Sequence, residues 1–297
     1  MARPLRGILS ALSTPFTEDL TRIDEPALRE LVDGTLEAGI HGLIPCGGTG
    51  EFGVLTVDER KLVAEIVVDQ AAGRVPVVPH TGHTSTAVAI ELSRHAESIG
   101  ADAVMVMFPY GEPVSQEEVY TFYKDIADAI HIPIMVYNIP SVTGQNLPPA
   151  FMARMAREID DVQYVKDSSG DLSQIQELIY EYGDVITAFN GWDTLTFAGL
   201  ALGSKGSVWG APNVCPRECA QLFDLIDAGK LNEARALWDR IWPVMQFLCS
   251  NSYNAAVKAG ANLYGFRVGN PRRPTLPLSR EKTDELRRLM VAAGILK

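Results

Sequence analysis

The sequence predicts an α/β protein, a (β/α)8 TIM barrel with a C-terminal helical extension. Eight short runs rich in Val, Ile, Leu and Met are each followed by Gly, Pro or Asn and then by a helical pattern. Their ends are about thirty residues apart, the length of a βαβ unit. The runs are almost continuously apolar, as parallel strands buried on both faces are. Such runs over about 230 residues fit one barrel, and a doubly wound sheet is the alternative.

The predicted strands cover residues 7–14, 42–46, 75–80, 103–108, 132–138, 162–166, 185–190 and 206–209. The helices between them carry their own boundary signals. Asp24 is a candidate N-cap for the first helix, and Thr56 with Glu59 forms a capping box for the next. Three helices are followed by a glycine at the position of a left-handed C′ residue, with a strand about three residues later. These glycines are Gly39, Gly100 and Gly203.

After Trp209 the pattern is helical only, over residues 216–228, 231–250, 253–263 and 279–293. Pro271, Pro274 and Pro277 predict an extended connection before the last of these helices. No linker composition separates the helices from the barrel. We therefore predict that residues 1–228 form the barrel and that residues 229–297 are a helical extension of the same domain.

Composition limits the classes of function. The chain has 297 residues and a net charge of -11, from 37 acidic against 26 basic residues, which argues against a nucleic-acid partner. We expect no signal peptide and no membrane span, because no run approaches about 18 consecutive apolar residues. The four cysteines are too scattered for a disulfide framework. We therefore expect reduced thiols in a cytoplasmic protein.

A glycine-rich loop, CGGTGEFG, follows the second predicted strand and has the spacing G-x-G-x-x-G at Gly48, Gly50 and Gly53. In a dinucleotide-binding fold the third glycine lies in the first turn of the helix. Here the capping box starts the helix at Thr56, after the glycines, which disfavours that interpretation. The loop can instead offer backbone N–H groups, and the Thr49 hydroxyl, to a single carboxylate. A tight connection without a ligand is the alternative.

Two further predicted strands end in reactive side chains, Tyr137 on the fifth and Lys166 on the sixth. A lysine that points into the barrel mouth loses hydration, which lowers its pKa, and a neutral amine can form a Schiff base with a ketone. The Tyr137 phenol could relay protons between this amine and a substrate. Alternatively, Lys166 forms a structural ion pair with Asp167 or Glu51, and Tyr137 only fills the core.

Three segments, GGTGE, YNIPSVTG and VKDSSGD, resemble the motifs of the dihydrodipicolinate synthase/N-acetylneuraminate lyase superfamily. The resemblance runs from about Ile8 into the C-terminal helices, and the motifs keep their order and separation. It implies a metal-free, cofactor-free class I lyase or dehydratase that forms a Schiff base with pyruvate or another 2-oxo acid. Members of this superfamily are usually tetramers, so the resemblance also implies a homotetramer.

The same resemblance implies roles for individual residues. Lys166 would be the Schiff-base lysine, Tyr137 with Thr49 would serve catalysis, and the loop glycines would hold the substrate carboxylate. The segment FNGWD is similar to the family's Gly-x-Asp segment, which implies that Asp193 receives substrate hydroxyls. The residues that the resemblance places in substrate binding are Gly48, Gly50, Ser168, Gly191, Asp193, Val208 and Gly210.

Three positions depart from the dihydrodipicolinate synthase pattern. Gly48 replaces the first of two adjacent threonines, and Val142 replaces an arginine that binds the carboxylate of the second substrate. Gly111 replaces a tyrosine lent to a neighbouring subunit, although Tyr110 is adjacent. Because a desolvated carboxylate without a cationic partner costs several kcal/mol, Val142 argues against selection of aspartate semialdehyde. An apolar residue there is more similar to sialic acid lyases and 2-keto-3-deoxy sugar acid aldolases.

Other chemical groups have structural explanations. His80 and His83 have a spacing that could ligate a metal, but no third ligand is evident and Schiff-base chemistry requires none. Cys215 and Cys219, one helical turn apart, are expected to be small packing residues.

We therefore predict a Schiff-base lyase, an aldolase or a dehydratase, that acts on pyruvate or a 2-keto-3-deoxy sugar acid. The alternative within the family is 4-hydroxy-tetrahydrodipicolinate synthase of lysine biosynthesis. The alternative from another class is a non-catalytic module that binds a 2-oxo acid.

Overall fold

The computed structural model describes residues 4–297 and shows a parallel β-barrel surrounded by helices, which confirms the predicted fold class. Each regular strand pairs in parallel with its neighbours, in the order β2-β1-β7-β6-β5-β4-β3. The strands are β1 Gly7–Ala11, β2 Gly42–Ile44, β3 Val104–Met107, β4 Ile134–Asn138, β5 Val162–Asp167, β6 Thr187–Asn190 and β7 Gly206–Trp209.

The strand predicted at residues 75–80 is not a regular strand, but an extended segment occupies its place between β2 and β3. On one side it exchanges hydrogen bonds with Leu43, and on the other with Met105. Only two isolated bridges, at Val77 and His80, satisfy a strand pattern. Pro76 and Pro79 have no N–H to donate, which interrupts the ladder. The segment nevertheless closes the barrel as its eighth member.

Helices follow the strands and cover the outside of the barrel. They are α1 Glu25–Glu37, α2 Val57–Ala71, α3 Thr86–Ser98, α4 Gln116–Ala127, α5 Pro140–Thr143, α6 Pro149–Glu158, α7 Leu172–Tyr180, α8 Thr196–Ala201, α9 Pro216–Asp227, α10 Leu231–Ser250, α11 Tyr253–Tyr264 and α12 Arg280–Ala292. Short 3-10 turns occur at Phe52–Val54, Asp193–Leu195 and Ala211–Asn213. The short helix α5, directly after β4, was not predicted. None of the helices in residues 4–297 is long and apolar enough to cross a membrane.

The local signals in the sequence have the predicted structural roles. The Asp24 side chain accepts a hydrogen bond from the Ala27 N–H at the start of α1. Thr56 and Glu59 form the reciprocal bonds of a capping box at the start of α2. Gly39, Gly100 and Gly203 have φ values of 92°, 88° and 107°, in the left-handed region that ends a helix.

Side chains from the strands fill the barrel interior and form the floor beneath its mouth. The strands alternate between this interior and the helix-facing layer, as the period of two requires. On β5, for example, Tyr164 belongs to the interior cluster and Val165 to the outer one. A separate hydrophobic cluster packs the C-terminal helices, α9 through α12, against the barrel. In this cluster the ring centroids of Trp209 of β7 and Trp238 of α10 are 6.2 Å apart.

Strand β7 closely approaches β1 and β6 at Gly206. A Cβ at this position would lie 2.1 Å from the Gly7 carbonyl oxygen and 2.5 Å from the Phe189 ring. We expect Gly206→Ala to lower the free energy of unfolding by about 1–3 kcal/mol or more, because backbone and ring must both move.

Denaturant unfolding followed by circular dichroism measures this effect. Gly53→Ala is the matched control, since its Cβ would meet no atom within 4 Å. Equal stability of the two variants would contradict the close approach between β1 and β7.

Candidate active site

A cavity of about 340 Å³ opens at the C-terminal ends of the strands. This is the face at which TIM-barrel enzymes carry their active sites. The cavity contains Tyr137 and Lys166 from adjacent strands and reaches the glycine-rich loop after β2. Its lining residues are Gly48, Thr49, Tyr137, Ile139, Ser141, Val142, Lys166, Ser168, Gly191, Trp192, Asp193, Val208, Trp209, Gly210, Cys249, Tyr253 and Asn254.

Lys166 points into this cavity because of its place on β5. It lies two residues after Tyr164, whose ring belongs to the barrel interior, and side chains two apart on a strand share a face. The lysine is only 4% exposed. Burial lowers the pKa of its amine from 10.5 to about 7, although the Asp193 carboxylate raises the pKa in part. A substantial fraction of the amine is therefore neutral, and nucleophilic, near neutral pH.

Tyr137 lies beside Lys166 on the neighbouring strand β4. The Lys166 Nζ is 4.1 Å from the centroid of the Tyr137 ring. Burial raises the pKa of the phenol, so the hydroxyl keeps its proton at neutral pH, while a hydrogen bond with Ser168 partly offsets that rise. The amine and a protonated hydroxyl thus lie next to each other in one cavity, as the strand-end pattern predicted.

The glycine-rich loop reaches the same cavity through Gly48 and Thr49. A Cβ on Gly48 would lie 4.0 Å from the Tyr137 hydroxyl, which places the loop across from the phenol. Within residues 4–297, the N–H groups of Gly48 and Thr49 donate to no protein acceptor. These two amides are therefore available to an anion, as a carboxylate site requires.

Gly50, predicted as a substrate-binding residue, lies behind this loop and does not line the cavity. Its Cβ would come within 3.0 Å of the Leu12 carbonyl oxygen, and its own carbonyl accepts from the Thr14 hydroxyl at 2.7 Å. Gly50 therefore allows the loop to pack closely against the residues that follow β1. Gly53 lies in a 3-10 turn ahead of α2, so the glycines precede the helix, unlike those of a dinucleotide-binding fold.

Gly191 and Ser168 form the wall next to the lysine. The Ser168 hydroxyl donates to the Gly191 carbonyl oxygen at 2.9 Å. A Cβ on Gly191 would lie 2.1 Å from the Ser168 Oγ and 2.9 Å from the Lys166 Cε. Only glycine at this position leaves space for the lysine side chain.

Asp193 lies at the start of a 3-10 turn after β6 and is 4% exposed. Burial raises the pKa of its carboxyl to about 6, whereas a hydrogen bond from Tyr253 and the Lys166 charge lower it in part. The Tyr253 hydroxyl donates to the Asp193 Oδ1 at 2.8 Å and accepts from the Gly210 N–H at 3.0 Å. One tyrosine thus connects two predicted site residues.

Sequence reasoning missed Tyr253 and its neighbour Asn254, which donates to the Gly48 carbonyl oxygen at 3.1 Å. Both begin α11, in the segment predicted as a helical extension. Asn254 lies 206 residues from Gly48 in the chain, and Tyr253 lies 43 residues from Gly210. No local sequence motif indicates these contacts. Of the other predicted positions, Val208 and Gly210 line the cavity.

The structure does not support a structural ion pair at Lys166. Glu51 pairs instead with Lys258 of α11, at 2.7 Å. Asp167 accepts hydrogen bonds from Asn138, Ser169 and Gln174. No carboxylate in the described part of the chain lies within ion-pair distance of the Lys166 amine.

The two histidines have separate hydrogen-bond partners. The His80 Nδ1 lies 3.0 Å from the Cys46 carbonyl oxygen, and the His83 Nδ1 accepts from the Ser85 N–H. Residues 4–297 contain no group of three or more His, Cys, Asp or Glu side chains placed to hold a metal ion. The thiols of Cys215 and Cys219 are buried, 3.7 Å apart, in the cluster around α9.

Two of the positions that depart from the synthase pattern, Gly48 and Val142, line the cavity, and Gly111 does not. Val142, in α5, is 48% exposed and lines the cavity without adding charge. Gly111 has a φ of 99°, and a Cβ there would meet no atom within 4 Å. Tyr110 packs edge-on against Phe52, with ring centroids 6.0 Å apart, and does not line the cavity.

A desolvated lysine on a strand of a parallel barrel, with a phenol beside it, is the arrangement that a class I Schiff-base lyase requires. The sequence model of the Dihydrodipicolinate synthetase family matches residues 4–293, so the chain belongs to this family. It is an enzyme of the carbon-carbon or carbon-oxygen lyase type with a class I aldolase mechanism. The comparisons thus favour an enzyme over a non-catalytic binding module.

Curated relatives match over nearly their full length. The 4-hydroxy-tetrahydrodipicolinate synthase of Methanopyrus kandleri is 39% identical over 297 residues, which cover 100% of this chain and 99% of the relative. That of Thermomicrobium roseum is 40% identical over 282 residues, which cover 95% and 92%.

Solved structures agree with the fold. The dihydrodipicolinate synthase from Aquifex aeolicus has a TM-score of 0.93 and 31% identity, covering 98% of this chain and 99% of the other. A prophage protein of the dihydrodipicolinic acid synthase family from E. coli K12, solved in complex with pyruvate, has a TM-score of 0.94 and 29% identity, with the same coverage.

The lowered pKa of Lys166 predicts a pH dependence. Only the neutral amine attacks a ketone, so the rate of Schiff-base formation should rise with pH and level off above about 7. Because the Asp193 charge raises the pKa of Lys166, Asp193→Asn should move the midpoint to lower pH. Borohydride trapping of pyruvate on Lys166, followed over time at a series of pH values, measures this rate.

Asp125→Asn, on the exposed surface of α4, is the control and should keep the wild-type midpoint. A midpoint near the ordinary lysine pKa of 10.5, or one unmoved by Asp193→Asn, would contradict the assigned electrostatics.

Proposed function

We propose that this enzyme forms a Schiff base between Lys166 and pyruvate or a 2-keto-3-deoxy sugar acid, and acts as an aldolase or a dehydratase. In this proposal Tyr137 relays protons, and the Gly48–Thr49 amides with the Thr49 hydroxyl hold the substrate carboxylate. Ser168, Gly191, Val208 and Gly210 shape the wall, and Asp193 accepts hydrogen bonds from substrate hydroxyls. The adjacency of a desolvated amine, a phenol and two free amides in one cavity supports these roles.

The chemistry balances with groups in this cavity. The neutral Lys166 Nζ adds to the C2 carbonyl carbon, and the carbinolamine oxygen takes protons by way of Tyr137 and leaves as water. In the aldolase variant, Tyr137, which has given its proton to the departing water, takes the proton of the C4 hydroxyl, and the iminium accepts the electron pair of the breaking C3–C4 bond, which releases an aldehyde and leaves an enamine. In the dehydratase variant, Tyr137 takes a C3 proton, which gives the enamine, and passes it to the C4 hydroxyl, which the enamine expels as water. Tautomerisation and hydrolysis then return the free amine.

One observation carries the choice of substrate. Among the residues that line the cavity, Lys166 is the single cationic side chain. A substrate with one carboxylate can use the loop amides, but a second carboxylate would find no positive partner after Lys166 has become the imine. Asp193, Tyr253, Ser141 and Asn254 are polar and suit a polyhydroxylated carbon chain.

The second candidate is 4-hydroxy-tetrahydrodipicolinate synthase. The names of the curated relatives, at 35–40% identity over nearly the whole chain, favour it. The cavity differs where Val142 occupies the position of the expected arginine. We also propose that the enzyme is cytoplasmic and assembles as a homotetramer, although one similar solved structure is described as a monomeric variant. Sedimentation analysis of the purified protein tests the assembly.

The proposed Schiff base is tested by reduction with borohydride in the presence of pyruvate. We expect one covalent adduct of reduced pyruvate, on the peptide that contains Lys166. Lys166→Met should abolish it, while Lys205→Met should leave it in place, because the Lys205 side chain is exposed and does not line the cavity. An unmodified Lys166 peptide in the wild-type protein would reject the proposal.

Tyr137→Phe tests the proton relay. We expect a loss in kcat of about 10²–10⁴-fold, because the ring is kept while the proton-transferring hydroxyl is removed. Tyr180→Phe is the control, since Tyr180 is exposed on α7 and its hydroxyl donates to the Leu202 carbonyl outside the cavity. An unchanged kcat in Tyr137→Phe would exclude the relay.

Product analysis with candidate substrates separates the two functions. We expect turnover of 2-keto-3-deoxy sugar acids to exceed condensation of pyruvate with aspartate semialdehyde. Val142→Arg, which supplies a cation at the mouth, should improve the condensation and impair turnover of the sugar acids. Efficient condensation by the wild-type enzyme would instead establish the synthase.

A further inference from the structure

The C-terminal segment holds the glycine-rich loop through a buried network that the proposed chemistry does not use. Glu51, at the end of the loop, pairs with Lys258 of α11 at 2.7 Å, with the two side chains 3% and 2% exposed. The second oxygen of Glu51 accepts from the Arg272 N–H at 2.9 Å. Asn254, one turn earlier on α11, donates to the Gly48 carbonyl oxygen at 3.1 Å. Helix α11 therefore contacts the loop on both sides of Thr49, at Gly48 and at Glu51.

The loop itself is strained at both ends. Cys46 and Glu51 each have a φ of 60°, a left-handed conformation that L-residues other than glycine rarely adopt. Such conformations persist only where the surroundings over-determine them. At Glu51 the backbone N–H donates to the Gly48 carbonyl oxygen at 3.0 Å, and the tail holds the side chain through Lys258 and Arg272. Without the tail, only local backbone bonds would hold this conformation, and a shift at Glu51 would move the Gly48 and Thr49 amides with it.

Lys258 is placed to fix one position of Glu51. Its amine also donates to the Asn270 carbonyl oxygen at 3.0 Å and lies 4.2 Å above the Phe16 ring. Arg272, which holds the other oxygen of Glu51, pairs in turn with Glu59 at the start of α2, at 2.8 Å. Buried ion pairs contribute little net stability compared with apolar residues, so positional specificity is the effect to test here.

We propose that Lys258 is a positioning residue that sets the two substrate-binding amides of the loop through its ion pair with Glu51. This inference rests on the proposed carboxylate site at Gly48 and Thr49. Lys258 does not line the cavity, so it acts on substrate only by way of the loop. Binding of the substrate carboxylate by the loop amides, and hence the affinity for pyruvate, depends on an ion pair to which the C-terminal segment contributes Lys258.

The test compares the wild type with Lys258→Met and with the double variant Glu51→Gln/Lys258→Met. The single variant leaves a buried carboxylate unpaired and is expected to lose stability. The double variant removes both charges and should regain the melting temperature. In the double variant we expect the half-saturating pyruvate concentration for borohydride trapping to rise at least about tenfold, because misplaced binding groups cost affinity. Trapping at saturating pyruvate should still reach completion.

Hydrogen exchange measured by mass spectrometry gives a readout that does not depend on substrate. We expect peptides over residues 46–55 to exchange faster in the double variant, while peptides over β5 stay unchanged. Arg267→Met is the matched control: it removes another cation of the same segment, which pairs with Glu30 of α1 at 2.5 Å. This control should keep both the wild-type pyruvate requirement and the wild-type exchange.

A stable double variant with the wild-type pyruvate requirement and wild-type loop exchange would overturn the positioning role. Failure of pyruvate to modify wild-type Lys166 would instead reject the proposed function. In that case, loop exchange in the double variant alone decides whether Lys258 holds the loop.

Discussion

The site depends on the desolvation of one amine. Lys166 lies inside a closed barrel, where burial lowers the pKa of its amine to about 7. Asp193 and Gly191 lie next to this amine. The Asp193 carboxylate is near enough to raise the pKa of Lys166 in part, but it forms no ion pair with the amine. Gly191 has no side chain because a Cβ would contact Lys166. Since buried side chains of the strands form the floor below Lys166, the barrel itself keeps part of this amine neutral near neutral pH.

The barrel strands and the C-terminal helices position different groups at this site. The barrel strands position the amine and the phenol, whose adjacency follows from the pairing of β4 with β5. The C-terminal helices position what surrounds them: Tyr253 connects Asp193 with Gly210, and Asn254 contacts Gly48. Side chains on strands and packed helices are held more precisely than side chains on loops. The segment after the barrel is thus part of the site as well as of the core.

Sequence signals predicted the structure correctly where it depends on interactions between residues close together in the chain. The capping box at Thr56 and the left-handed Gly39 were read correctly because each depends on residues within one or two turns. The segment at residues 75–80 was predicted as a strand because it is apolar, but Pro76 and Pro79 interrupt its ladder. The barrel closes there all the same, since the N–H and carbonyl groups that remain bond to both neighbours.

The sequence by itself determined the repeating βα order, the apolar strands and the reactive residues at their ends, because strand period and helix capping are short-range properties. From these, Lys166 and Tyr137 could be placed at one edge of a barrel. Only the tertiary structure decided that Glu51 pairs with Lys258 rather than with Lys166, and that Tyr253 reaches Asp193. These partners lie far apart in the chain, so their meeting depends on how α11 packs across the barrel mouth, which no local pattern encodes.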